Sequence, residues 1–221
     1  MEKNLISIGI VSDIVCPWCY IGKRRLKEAM SLASDRFAFE VEHIPFELNP
    51  HIPEEGTDYH QYLCGKFGSE SKFEALTAHV KRIAAREQIV LNTEIQKTYP
   101  NTRNAHRVIL MARETDRQED VVEALFRAFF TDGVDLSKKE NLIEIAANAG
   151  LDRDRVAALL DSNIGKVEIE IAEKELHDLG ITSIPLFIIN NKSAISGAQS
   201  VETFSRAFEE TAMVHGHVQH Q

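Results

Sequence analysis

The chain is short of cysteine, of long apolar runs and of clustered basic residues, and each shortage excludes a class of protein. Its three cysteines among 221 residues are odd in number and too few for a framework of structural disulfides. No apolar run approaches ~20 residues, so we expect no membrane-spanning helix. The formal net charge is −9 without any basic block, which argues against a nucleic-acid-binding surface.

The start of the chain also has no feature of a secretory signal. Residues 1–4 lead directly into an apolar run typical of a strand, and they contain neither the apolar core nor the cleavage site of a signal peptide. We therefore expect a cytoplasmic protein. In a reducing compartment, a close pair of cysteines is more often catalytic, redox-sensing or metal-binding than structural.

Two of the cysteines belong to the motif Cys16-Pro17-Trp18-Cys19, which falls between a predicted strand over 5–11 and a predicted helix over 20–33. Pro17 suits the first helical position, because its missing N–H would be unpaired there anyway. Cys16 would then lie at a helix N-terminus, a position that lowers the pKa of a cysteine to about 3.5–7.5 and favours the reactive thiolate. Cys19 lies one turn further on, where it can form or resolve a disulfide with Cys16.

The order of the other predicted elements indicates an α/β fold that is interrupted by helices. A second strand over 37–44 completes a βαβ unit with parallel strands. Almost all of residues 58–179 have helical periodicity, with Ser69 and either Asp152 or Asp154 as N-caps. A hairpin over 185–196 then precedes a last helix that Ser200 can cap. We predict that residues 1–50 and 180–221 form one α/β domain and that residues 51–179 form a helical domain inserted into it.

This order resembles a thioredoxin-like fold (βαβ…ββα) with a large helical insertion. The stretch Cys16-Pro17-Trp18-Cys19-Tyr20-Ile21-Gly22 resembles the motif of the DsbA-like oxidoreductases, in particular that of their cytoplasmic FrnE-like branch. Further similarities to that branch cover nearly the whole chain. They are Pro45-Phe46-Glu47-Leu48-Asn49-Pro50, Asn101-Thr102 with Ala105-His106-Arg107, Gly180-Ile181 with Ile184-Pro185-Leu186-Phe187, and Ser196-Gly197-Ala198-Gln199.

The resemblance implies a thiol–disulfide oxidoreductase that passes Cys16 and Cys19 through mixed disulfides with protein substrates. It implies no resident cofactor and no metal, with glutathione as a candidate co-substrate. It also implies that Pro185 is cis and faces the dithiol, so that the Ile184 main chain can bind an extended substrate by strand addition. Without the resemblance, a trans proline at the start of a strand would be the ordinary expectation. In a reducing cytosol, reductase or isomerase activity, or a response to oxidative stress, is favoured over bulk disulfide formation.

The sequence allows two interpretations for each of five further residues. At a predicted helix start, either Asn101 acts as the N-cap, or Asn101 and Thr102 help shape a substrate cleft together with Pro17 and Trp18 of the motif. His106, a turn later, is either a solvated surface histidine or part of that cleft. Asp13 either forms a turn or handles protons beside the dithiol. Cys64 is either a small buried hydrophobe or a third redox group.

Two other functions remain open from the sequence. The same architecture resembles the kappa-class glutathione transferases and the hydroxychromene-carboxylate isomerases, which have a serine at the position of Cys16 and lack the second cysteine. A zinc-binding, redox-regulated module is the other alternative. Because zinc takes four ligands, that module would have to recruit Cys64 and a histidine such as His43 to the cysteine pair.

Overall fold

A four-stranded sheet made from both ends of the chain forms the centre of the fold. The computed structural model describes residues 3–216, and side chains as far as residue 211. In chain order its elements are β1 (Asn4–Ser12), α1 (Pro17–Leu32), β2 (Phe37–Pro45), β3 (Thr57–Asp58), α2 (Tyr59–Phe67), α3 (Glu70–Arg86), β4 (Thr98–Tyr99), α4 (Arg103–Arg113), α5 (Gln118–Phe130), α6 (Lys139–Asn148), α7 (Arg153–Leu160), α8 (Lys166–Asp178), β5 (Leu186–Ile189), β6 (Ser193–Ser196) and α9 (Val201–Gly216).

The sheet has the strand order β2-β1-β5-β6, which confirms the predicted thioredoxin-like arrangement. β1 and β2 are parallel and are connected by α1, whereas β5 pairs antiparallel with both β1 and β6. The apolar side chains of β1 alternate with half-buried ones, as expected of a strand that packs one face against helices. A core of buried residues joins β1 and β5 to α1 and α9; its members include Ile6, Ile8, Ile10, Leu26, Phe187, Phe204 and Phe208.

Helices α2–α8 form the predicted helical block between β2 and β5. Ser69 and Asp152 cap α3 and α7 by accepting a hydrogen bond from a main-chain N–H in the first turn. The structure adds a small second sheet in which β3 pairs antiparallel with β4. Each of these strands has two residues, which is too few to produce an alternating pattern in the sequence.

A buried lysine connects α1 to the helical block. The Lys23 ammonium is 2.7 Å from carboxylates of Glu119 and Glu123 on α5, although the Lys23 side chain is only 3% exposed. A buried charge needs such partners, because its desolvation is otherwise costly. The apolar core of the block also continues into the turn before α1, so the division into domains at residues 50 and 180 stays a prediction. No helix within residues 3–216 is long and apolar enough to cross a membrane.

Candidate active site

The turn between β1 and α1 places Cys16 at the N-terminus of α1. The main-chain N–H of Cys16 donates to the Asp13 carbonyl (3.1 Å), and the Cys16 carbonyl accepts from the N–H of Cys19 (3.0 Å). Cys16 is the N-cap residue with an extended backbone, and Pro17 follows at the first helical position. The predicted position of the motif is therefore confirmed. Cys16 and Cys19 are both free thiols in this structure.

The two cysteines have opposite pKa shifts. The pKa of Cys16 is lowered, first because the Cys19 thiol donates a hydrogen bond to its sulfur, and also because main-chain N–H groups of Cys19 and Trp18 point at it. These effects outweigh its burial and the nearby charge of Asp13, which act in the other direction. The pKa of Cys19 is raised well above its ordinary value by burial and by the Cys16 sulfur. The pair is therefore arranged as a Cys16 thiolate beside a protonated Cys19.

Cys16, Pro17 and Trp18 form part of the wall of a cavity of about 330 Å³, whereas Cys19 does not line it. Lys66 on α2 lines the cavity, and no acidic residue does so in the part of the chain that the structure describes. The remaining wall is largely apolar and aromatic and includes Tyr59, Leu63, Phe73, Val80, Tyr99 and Phe130. The cavity is therefore suited to an apolar group that approaches the Cys16 sulfur.

The peptide bond between Ile184 and Pro185 is cis, as the resemblance implied. The Pro185 ring packs against the second turn of α1 at Gly22. A Cβ atom added to Gly22 would lie only 3.3 Å from Pro185 Cγ. Ile184 packs against the same apolar cluster that contains Cys16 and Cys19. The loop before β5 therefore lies beside the helix that carries the dithiol, although neither Ile184 nor Pro185 lines the cavity.

Comparison with known proteins decides the family. Residues 7–209 match the DSBA-like thioredoxin domain. The chain belongs to this family. A probable DsbA oxidoreductase from Streptomyces coelicolor is 32% identical, with a TM-score of 0.86 over 93% of this chain and 89% of that one. The uncharacterized Bacillus subtilis protein YwbO is 26% identical over 93% of this chain and 96% of its own length. The cytosolic disulfide reductase DsbM from Pseudomonas aeruginosa, solved with GSH, has the same fold at 16% identity, with a TM-score of 0.66 over 94% of this chain and 98% of that one.

In this DSBA-like domain, the His106 side chain is buried and is not a solvated surface histidine. Its side chain is 3% exposed, and its Nε2 lies 3.3 Å from Oδ1 of Asp13, which is fully buried. A solvated His106 is therefore wrong, because the first turn of α4 packs inward against the turn before Cys16. Asp13 does form the turn, through its carbonyl, and its Oδ2 accepts from the N–H of Leu48 (2.8 Å). His106 and Asp13 together form a buried ionisable pair behind the dithiol.

Asn101 and Thr102 contribute to the start of α4 and do not line the cavity. The Asn101 side chain accepts from the N–H of Arg103 (3.0 Å) and donates to the carbonyl of Ile52 (2.8 Å). Thr102 is the N-cap residue of α4, but its side chain makes no capping hydrogen bond. The capping interpretation therefore holds for the Asn101 side chain, and a direct role of either residue in substrate binding stays a prediction.

The structure does not bring Cys64 and His43 to the cysteine pair. Cys64 Sγ lies 3.7 Å from Nδ1 of His60, and His43 Nε2 lies 3.4 Å from Glu119. Burial and the charges of two nearby glutamates raise the pKa of Cys64, which favours its unreactive protonated form. Among residues 3–216, no three His, Cys, Asp or Glu side chains converge in a way that could hold a metal ion.

Sequence reasoning missed the residues of the cavity wall and the pairing of His106 with Asp13. The wall comes mainly from α2, α3 and the loop before α4, whose aromatic residues are typical of an ordinary helical core. Leu63, Phe67 and Phe73 could have indicated an apolar surface on α2 and α3, but not which element it faces. Contacts between residues so distant in sequence leave no local pattern to detect.

A substitution at Gly22 tests the contact between α1 and the loop before β5. In Gly22→Ala, the added Cβ would lie 2.9 Å from Phe187 Cζ and 3.3 Å from Pro185 Cγ. We expect a net loss of about 1–2 kcal/mol in the free energy of unfolding, because overpacking outweighs the higher helix propensity of alanine. Urea unfolding measures this change. Gly65→Ala on α2 is the matched control: nothing lies within 4 Å of its added Cβ, so equal or higher stability is expected there. A Gly22→Ala variant as stable as Gly65→Ala would contradict the close contact.

Proposed function

We propose that this DSBA-like protein is a cytoplasmic thiol–disulfide oxidoreductase of the FrnE-like branch that reduces or isomerises protein disulfides. The observation that carries the proposal is the asymmetry of the dithiol. Cys16 has a lowered pKa and forms part of a cavity wall, whereas Cys19 has a raised pKa and lies behind it. Both cysteines are buried, with Cys16 5% and Cys19 1% exposed, but only Cys16 borders the cavity. A thiolate in a cavity wall next to a protonated thiol behind it is what nucleophilic attack followed by resolution requires.

The reaction proceeds in two exchanges. The Cys16 thiolate attacks one sulfur of a substrate disulfide, which forms a mixed disulfide and releases the other substrate sulfur as a thiolate that takes up a proton. Cys19 then loses its proton and attacks the Cys16 sulfur, which releases the second substrate sulfur and leaves a disulfide between Cys16 and Cys19. The substrate gains two electrons and the dithiol loses them. Oxidation of a substrate dithiol follows the same steps in reverse.

The cavity favours a substrate whose reactive cysteine is next to an apolar side chain. Its wall is largely apolar and aromatic, and Trp18 and Pro17 border the Cys16 sulfur. Such a side chain would be desolvated on binding, which contributes about 25 cal/mol per Å² of buried apolar surface before the costs of ordering. We infer that the main chain of Ile184, before the cis Pro185, binds the extended segment around that cysteine by strand addition.

The lowered pKa of Cys16 also bears on the direction of the reaction. A stabilised thiolate stabilises the reduced protein, which makes its disulfide more oxidising. In a reducing compartment, such a pair is kept reduced and can attack non-native disulfides, so reduction and isomerisation are the activities that we propose. The equilibrium of the pair with a glutathione redox buffer measures the potential and tests this assignment.

A direct test of the function compares insulin reduction by the parent protein, Cys16→Ser and Cys64→Ser. We expect Cys16→Ser to have no activity above the background of the external reductant, because serine has no accessible anion at neutral pH. Cys64→Ser should keep the parent rate, since Cys64 does not line the cavity and its raised pKa favours the protonated thiol. Equal activity of Cys16→Ser and the parent would exclude Cys16 as the nucleophile and with it the proposed function.

Glutathione is the small thiol that we propose as a co-substrate. DsbM, which shares the fold, was solved with GSH, and Lys66 provides a cation near Cys16 that could pair with a carboxylate. The kappa-class transferases and the hydroxychromene-carboxylate isomerases have a serine at the position of Cys16 and lack the second cysteine. The intact Cys16–Cys19 pair therefore argues against that alternative. Calorimetry that finds tight binding of reduced glutathione without activity on protein disulfides would support that alternative instead.

A further inference from the structure

Arg25 on α1 contacts two parts of the chain that are far apart in sequence. Its Nε lies 2.7 Å from Oε1 of Glu87, the residue that follows α3. Its Nη1 donates to the main-chain carbonyl of Ala198 (2.7 Å), in the turn between β6 and α9. The Arg25 and Glu87 side chains are only 20% and 13% exposed. Desolvation makes such an ion pair a weak source of stability, so its geometry needs another explanation.

The contact with Glu87 holds the cavity wall against α1. Glu87 directly follows the last residue of α3. The earlier turns of the same helix carry Phe73 and Val80, which line the cavity together with Cys16. The ion pair therefore fixes one end of the helix that forms this wall.

The contact with Ala198 holds the loop that we expect to bind the substrate main chain. Ala198 and Ile184 both pack against the apolar cluster that contains the two cysteines. The N–H of Gly197 donates to the Pro185 carbonyl (2.8 Å), which joins the turn at 197–198 to the loop before β5. Within residues 3–216, the N–H and carbonyl of Ile184 make no main-chain hydrogen bond. They are therefore available to an extended segment of a substrate.

A peptide substrate needs both surfaces at once, whereas a small disulfide needs only the cavity. In the proposed function, an apolar side chain next to the reactive cysteine enters the cavity while the main chain pairs with Ile184. The distance between the two surfaces must then match the spacing of side chain and main chain in the substrate. A misplacement of about 1 Å can cost about 100-fold in rate.

We propose that Arg25 is a positioning residue that fixes the cavity wall relative to the loop at 184–185, and so sets a preference for extended peptide disulfides over small ones. This inference rests on the proposed function. Arg25 does not line the cavity, so it acts through Glu87 and Ala198. Its planar guanidinium has donors for both partners at once, in a fixed geometry that a lysine ammonium does not provide.

The experiment compares two disulfides with the reduced full chain in a Cys64→Ser background. One is a disulfide-linked peptide with phenylalanine next to the cysteine, and the other is the small aromatic disulfide dithiobis(nitrobenzoate). Trp18 is the single tryptophan of the chain, and its fluorescence in a stopped-flow instrument reports oxidation of the dithiol by either reagent. The rate is measured against the concentration of each disulfide, without any other reductant.

We expect Arg25→Met to lower the second-order rate constant for the peptide about 10-fold, because the two surfaces must then be ordered when the peptide binds. The loss should come from a higher half-saturation concentration, with little change in the maximal rate. The rate constant for the small disulfide should stay within about 2-fold, since the start of α1 is unchanged. Amide hydrogen exchange at Gly197 should also become faster relative to that of the β1 amides.

Arg24→Met is the matched control. Arg24 precedes Arg25 on α1 and pairs with Glu123 on α5 (2.6 Å), so this variant also loses an ion pair to the helical block. It should leave the ratio of the two rate constants and the exchange of Gly197 unchanged. Glu87→Ala removes the contact with α3 alone and should lower the rate constant for the peptide about 3-fold.

The outcomes separate the inference from the function on which it rests. A loss in Arg25→Met that is equal for the two disulfides, or no greater for the peptide than in Arg24→Met, would refute the positioning role and leave the proposed function intact. If Arg25→Met does not fold, an unchanged ratio of rate constants in Glu87→Ala refutes it. If the parent protein reduces neither disulfide, the proposed function itself fails.

Discussion

Cys19→Ser is expected to convert the protein into a trap that accumulates covalent mixed disulfides and stops turning over. Cys16 keeps its neighbours at the start of α1 and can still attack, but the group that releases the substrate is gone. Intramolecular attack by Cys19 benefits from an effective concentration on the order of 10⁵ M or more, which external thiols at millimolar concentration do not match. We therefore expect turnover in insulin reduction to fall at least about 100-fold.

The trapped species provides the measurement. Non-reducing electrophoresis and intact-mass analysis should show Cys19→Ser covalently joined to substrate, and a reductant should release it. The double variant Cys16→Ser/Cys19→Ser is the control and should form no adduct. Adducts that persist in the double variant would instead identify Cys64 as the reactive thiol, and rapid turnover by Cys19→Ser would exclude Cys19 as the resolving group.

Arg107→Met is expected to produce a large loss of stability in the helical block. Arg107 on α4 is 1% exposed, and its guanidinium donates to the main-chain carbonyls of Ile164 (2.7 Å), Ser162 (2.8 Å) and Leu159. It therefore binds the segment between α7 and α8 to α4. Methionine would fill a similar volume but leave these carbonyls without a donor. We expect the free energy of unfolding to fall by about 3 kcal/mol, because hydrogen bonds to a charged group contribute about 1.5–3 kcal/mol each and some carbonyls regain water.

Thermal and urea unfolding measure this loss, with Arg113→Met as the matched control on the same helix. Arg113 is 61% exposed and pairs with Glu42, and an exposed ion pair contributes about 0–1 kcal/mol. For a chain of this size, the loss in Arg107→Met corresponds to a decrease in Tm of about 6–12 °C. Equal unfolding midpoints for the two variants would contradict the role assigned to Arg107.

Local chemistry made several elements predictable. The start of α1 followed from Pro17 and from the change of apolar spacing around Cys16, and the caps at Ser69 and Asp152 followed from the preference of short polar side chains for helix N-termini. The cis bond before Pro185 was implied only by the resemblance to the DsbA-like family, since the residues alone favour a trans bond.

The errors and omissions all involve contacts between distant parts of the chain. His106 has the sequence context of a surface helix start, but α4 packs against the turn that contains Asp13, which lies far away along the chain. The two-residue strands β3 and β4 form only because they meet each other. The cavity beside Cys16 exists because α2 and α3 pack over α1, and nothing in the periodicity of α2 or α3 indicates which surface they cover.

The sequence by itself determined the positions of the dithiol, the four strands of the central sheet and most helices, because caps, prolines and apolar spacing act within a few residues of one another. Only the tertiary structure decided the properties that make the two cysteines different. Cys16 reaches the cavity, Cys19 lies behind it, and Asp13 meets His106 there. These differences arise from burial and from charges brought together by folding, and both depend on residues that are neighbours in space but remote in the chain.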